Sequence, residues 1–220
     1  MSSVNTINKD SEHFPQFNAS LLTFGSNGYR LMAVVPCWRL MMSLVDCFAA
    51  FGLKNLRYPW SRLRRRLCER RYLKTELPPV NSLQDIRLKL KEVTWTKDGF
   101  FHLYDAISYP QTVWAKKKDD CDGFAILAAA LLKSMDPATE PVLITAAMRP
   151  LRQSHTVCAF KDGQRLAFFN NKELCRGNFK EYKDIVAEFT KDPKKKGIKK
   201  VICWDVVKPE TLKTLEFHRV

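Results

Sequence analysis

The sequence contains no CxxC pair, and its seven cysteines, at 37, 47, 68, 121, 158, 175 and 203, follow no paired rhythm. An odd, scattered set fits a reducing compartment better than a disulfide framework. No cysteine–histidine cluster has zinc-ligand spacing, so neither a metal nor another cofactor is expected. A secretory signal is also lacking: residues 1–30 are polar, and the first apolar run starts at Leu31. That run is broken by Pro36, Arg39 and Asp46. A charge at mid-bilayer costs about 2.5–3.5 kcal/mol, so a buried or partner-facing helix is expected there rather than a membrane span. There is no internal repeat.

What is present suits a globular core. Of 220 residues, 45% are hydrophobic, with 14 Phe and 5 Trp, enough for one domain plus extra segments. The formal charge of +14 is concentrated in two segments. Residues 53–74 hold Lys54, Arg57, Arg62, Arg64, Arg65, Arg66, Arg70, Arg71 and Lys74 against Glu69 alone, and residues 191–200 hold six lysines against Asp192. Such patches meet nucleic acid, anionic lipid or an acidic protein, or are merely solvated faces. Neither patch interleaves aromatics in the manner of a single-strand binder, so nucleic-acid binding ranks last among the functional readings.

The chain divides into a polar, flexible arm (1–30), a helical, basic extension (31–79) and a main domain (80–220), with Leu77-Pro78-Pro79 as the break. In the extension, residues 40–53 and 60–72 read as helices. The second carries Trp60, Leu63 and Leu67 on one stripe, with arginines on the other faces. Residues 31–74 could bind copies of the chain or an assembly partner. Further on, Ser82 and Asp85 form a capping box for a helix to about residue 93. Residues 142–148, 155–160, 165–169 and 200–207 read as strands, and 179–189 as a surface helix.

One cysteine has a distinctive setting. In DDCDGFAILAAALL, the residues Phe124, Leu127, Ala128, Leu131 and Leu132 mark one helix face, and Cys121 falls on it in the first turn. Asp119 or Asp120 can cap that turn. The thiol could be an inert, buried small hydrophobe. It could also be a nucleophile, because a helix N-terminus favours a thiolate and its N–H groups can hold an oxyanion. The flanking aspartates oppose a thiolate, which would then need a nearby histidinium.

A histidine is available. In HTVCAFKDGQRLAFFNN, Asp162-Gly163 suits a two-residue hairpin turn. With that turn, Lys161 faces Gln164 and His155 faces Asn170, within reach of its amide. His155, Val157, Ala159, Leu166, Phe168 and Asn170 then share one face, a natural surface for the Phe124–Leu132 stripe. A core histidine and a strand-end asparagine are the plain alternatives. The conjunction instead suggests a nucleophile, a base and an orienting amide.

The segments DDCDGFAILAAALL, QSHTVCAF and LAFFNN resemble the transglutaminase-like cysteine peptidases of bacteria and phages, within the papain-like superfamily. The resemblance spans about 82–207. It implies an α+β fold with a helix packed on an antiparallel sheet, Cys121 as nucleophile, His155 as base and acid, and Asn170 at a position usually held by Asp. Gly123 stands where many members carry an Asp, which weakens a calcium site on this loop. The Cys121 backbone N–H is the first oxyanion candidate, and Gln111 or Trp114 a second. The leading reading is a cysteine hydrolase of peptide or protein substrates. Transfer of the acyl group to an amine, and a virion-associated or other scaffold without turnover, are the rivals.

Overall fold

The computed structural model describes the backbone of residues 37–96, 106–192, 197–198 and 200–220, and the side chains of 44–96, 106–191 and 200–220. The expected arm at 1–30, and most of the lysine segment at 191–200, lie outside these. Residues Pro36–Val220 form one compact unit.

The extension opens with α1 (Cys37–Phe51), which continues through a π-turn (Gly52–Leu56) into α2 (Arg57–Cys68). Pro59 explains the irregularity: it cannot donate to the carbonyl four residues back, and its ring crowds that carbonyl. The widened turn instead bonds the Arg57 N–H to the Gly52 carbonyl. A 3₁₀ turn (Arg70–Lys74) leads to α3 (Leu83–Lys91), whose Ser82 Oγ accepts from Asp85 N–H at 3.1 Å, as its sequence signature requires. A short β1 (Thr94–Trp95) runs parallel to β2 (Lys118–Asp119), and α4 (Pro110–Lys116) lies between them. The long helix α5 (Cys121–Met135) follows.

The remaining chain builds the sheet: β3 (Val142–Met148), β4 (His155–Asp162), β5 (Arg165–Asn170), β6 (Glu173–Phe179), then α6 (Tyr182–Phe189), the small pair β7 (Lys191–Asp192) and β8 (Gly197–Ile198), β9 (Val201–Lys208) and β10 (Lys213–Arg219). Six strands pair antiparallel in the order β10-β9-β3-β4-β5-β6. The protein is therefore α+β, a helical N-terminal region on an antiparallel sheet, as expected.

Two expectations about the sheet are corrected. First, the hairpin turns at Gly163-Gln164 and not at Asp162-Gly163: Asp162 pairs with Arg165 and Lys161 with Leu166. Gly163 supplies the positive φ of 65° that a tight turn needs. Continued, this register places Asn170 opposite Val157, two positions from His155. A two-residue slip preserves parity, so the two side chains still share a face.

Second, that face does not receive α5. Val157, Ala159 and Phe168 pack with Ile185 and Val186 of α6. It is the other face, through Leu143, Cys158, Phe160, Ala167 and Phe169, that packs on α5. Helix α5 is also buried nearly all round from Asp122 to Ala129, not along one stripe. Helices α3 and α4 cover its outer side, so an amphipathic pattern is unnecessary. The core crosses the Leu77-Pro78-Pro79 break: Ala49, Leu53 and Tyr58 share one cluster with Ile86, Leu127 and Phe160.

Candidate active site

Three elements meet at one end of the central strands. Asp120 caps α5 with its Oδ1 accepting from Asp122 N–H at 2.9 Å, and Cys121 follows at the first helical position, where a backbone N–H has no intrahelical partner. The Cys121 thiol donates towards Asp122 Oδ1 at 3.9 Å, and the Thr156 backbone N–H, next to His155 at the head of β4, acts on the sulfur in favour of the thiolate. Nε2 of His155 lies 2.7 Å from Oδ1 of Asn170, at the end of β5. Phe189 of α6, which also lines the cleft, meets the imidazole edge-on at 5.8 Å between ring centroids. All three side chains line one cleft of about 440 Å³, together with Trp95, Gln153, Ser154 and Asn171.

The environment of the thiol is mixed. Burial, and the carboxylates of Asp122 and Asp120, push Cys121 well above the usual thiol range, while the Thr156 N–H and Arg57 act in the opposite sense. Arg57 is the group that sequence reasoning missed. It is buried on α2, ion-paired with Asp122 beside the nucleophile candidate, and it donates to Thr145 Oγ1 at 3.0 Å. Thr145 in turn lies 3.1 Å from Thr156 Oγ1. Close by, Tyr58 O–H donates to the buried Asp205 at 2.7 Å. Only the apolar context of Asp122 hints that a cation must reach it, and the sequence offers many arginines.

Neither side-chain oxyanion candidate reaches the cleft. Gln111 lines a separate cavity with Arg65, Tyr109 and Lys133. Trp114 packs against the helical core, with the Lys89 ammonium 5.9 Å from its ring. Both sit on α4, which lies against α5.

Donor atoms of Asp120, Cys121 and Asp122 lie within 4.8 Å of one another. The set does not suit a divalent cation, because Asp122 already neutralises Arg57 and Asp120 caps the helix. An acidic side chain at position 123 is also precluded: a Cβ there would collide with the Asp119 side chain.

No family model matches the chain, and no curated protein matches it. Among solved structures it is similar to Legionella pneumophila LapG. The calcium-bound form has 15% identity and a TM-score of 0.38, over 56% of this chain and 62% of that one. The EGTA-treated form has 14% identity and a TM-score of 0.38 over 56% and 63%. A third LapG structure has 14% identity and a TM-score of 0.37 over 63% and 67%. The chain thus spans less than two thirds of the length of the first two of these relatives.

Proposed function

We propose that the protein is a transglutaminase-like cysteine hydrolase that cleaves a peptide or amide bond of a protein substrate. The observation that carries this reading is the His155–Asn170 hydrogen bond at the rim of the cleft that Cys121 lines. Asn170 Oδ1 is an acceptor, so Nε2 bears the proton and Nδ1 is the ring atom that can take one. Because the resting thiol is neutral, the proton leaves Sγ as attack begins and not before.

Sγ bonds to the carbonyl carbon while His155 takes its proton. The oxyanion is met by the Cys121 N–H at the start of α5. The C–N bond breaks as the imidazolium returns the proton to the leaving amine. Water, deprotonated by His155, then releases the acid and restores the thiol. A primary amine in place of water would give acyl transfer on the same residues.

The second reading is a scaffold without turnover, and the elevated thiol favours it. An iodoacetamide-type probe separates the two when labelling rates are mapped cysteine by cysteine, since the exposed Cys47 and Cys68 also react. A hydrolase shows labelling at Cys121 that slows about 10²-fold or more in His155→Ala, the usual weight of a general base. An unreactive Cys121, or one indifferent to His155, leaves only the scaffold.

A further inference from the structure

Helix α2 is built inside out. Its buried side is Arg57, Tyr58, Ser61 and Arg65, while Trp60 is 55%, Leu63 47% and Leu67 73% exposed. The polar inner side has clear work. Ser61 Oγ accepts from Ile107 N–H at 3.0 Å, and Arg65 donates to the carbonyls of Ile107 at 2.9 Å and Ser108 at 2.7 Å. The apolar outer side has no such explanation within the described residues. Its line, Leu56–Trp60–Leu63–Leu67, follows helical spacing and is extended on α1 by Leu44 and Phe51. Both stripes lie opposite one buried line, Leu53–Arg57–Ser61–Arg65. The exposed face therefore runs along residues 44–67 of this helix, about 36 Å.

What flanks that face identifies its partner. Arg66 at the end of α2, and Arg70, Arg71 and Lys74 on the turn that follows, are exposed, while Arg62 donates to the Thr211 and Leu212 carbonyls and Lys54 lies over the Phe217 ring. Glu69, the one acid of residues 53–74, is buried and accepts from Tyr109 N–H at 2.8 Å and Thr112 Oγ1 at 3.1 Å. The outward charge of this segment is thus entirely positive. A second copy docked face to face would oppose two such rims. A long apolar ridge with a cationic border, carrying an outward tryptophan, fits an anionic surface with hydrocarbon beneath it. No helix among the described residues is long and apolar enough to cross a membrane, so the contact is one of lying on the surface.

We propose that the outer face of α1 and α2 binds the surface of an anionic lipid bilayer, with Trp60, Leu63 and Leu67 entering the interface and the arginines beside them meeting the headgroups. The test is independent of any thiol chemistry. Full-length protein is sedimented with vesicles of phosphatidylcholine alone or with one-third phosphatidylglycerol, at about 0.05 and 0.5 M salt. Binding is expected to the anionic vesicles and to weaken with salt. Leu63→Gln/Leu67→Gln should weaken it by about tenfold or more, and Arg66→Gln/Arg70→Gln by about fivefold per arginine. Circular dichroism confirms that each variant is folded. Absence of binding to anionic vesicles, equal binding to neutral ones, or full binding by the Leu63→Gln/Leu67→Gln variant overturns the proposal. So does a dimer in light scattering that the same variant dissociates, which would assign the face to a second copy. Salt-sensitive capture by an acidic peptide, with no vesicle binding, would likewise assign it to a protein.

Discussion

Helices α2 and α5 solve opposite problems. Helix α5 buries Phe124, Leu127, Leu131 and Leu132, and its neighbours close over it on nearly every side. Helix α2 buries two arginines, a tyrosine and a serine, and leaves its apolar stripe outside. An apolar stripe states which residues are alike, but what a helix turns inward depends on what its neighbours lack. Below α2 lie Asp122, Thr145, Asp205 and the 106–109 backbone, which need cations and donors. The oily helix supports the nucleophile candidate mechanically, and the polar underside of the other supports it electrostatically.

The comparison can be broken first at Arg57. Arg57→Ala leaves Asp122 buried beside Cys121 without its cation, and removal of one partner from a buried pair costs about 3–5 kcal/mol. Urea denaturation should show a loss of that order, the largest of any substitution on α2. A loss near zero would mean that Asp122 is solvated and that α2 does not secure the site. The counterpart on α5 is Leu127→Ala, expected to cost about 2–5 kcal/mol by opening a cavity in the shared core. If Leu127→Ala were mild and Arg57→Ala severe, polar contacts would dominate both helices.

Much of this architecture is legible in the sequence, and its failures have physical causes. Ser82 announces itself by its capping pattern with Asp85, and the α5 run and the central strands by the apolar runs that their burial demands. His155 and Asn170 are found together despite a wrong turn, because a slip of two leaves side-chain parity intact. Strands β6 and β10 escape notice, since each is an edge strand with little burial to pattern it. Helix α4 is about two turns, opened by a proline, too short for periodicity. Its Gln111 and Trp114 are close to Cys121 in sequence, yet α4 directs them elsewhere. The partner of Asp122 comes from 65 positions away, a distance over which composition carries no pairing information.

A smaller effect tests whether the polar underside is tuned or merely filled. Burial raises the Asp205 carboxyl to about 7, against the pull of Tyr58 and Arg57. An acid raised on folding keeps a proton that the unfolded chain has lost. Between about pH 4 and 7 the folded state therefore binds the extra proton, and stability falls as pH rises through that window. Below it, the carboxyl contributes no slope. Asp205→Asn, which can still accept from Tyr58, should flatten the curve by at most about 1.4 kcal/mol per pH unit. Parallel curves for the two proteins from denaturation at pH 4.5 and 7 would show that Asp205 titrates normally.

The smallest effect is the sharpest contrast. Leu67 is 73% exposed, so Leu67→Gln removes almost no buried area and should change stability by no more than about 0.5 kcal/mol. A leucine on α5 with the same side chain is expected to matter several times more. Should Leu67→Gln cost about 2 kcal/mol in the same denaturation experiment, its side chain is covered in solution by something beyond the described residues. The outer face of α2 would then be a second core and not a surface. A null result in the stability assay, paired with a measurable loss of vesicle binding, would place this stripe among residues that act outside the fold.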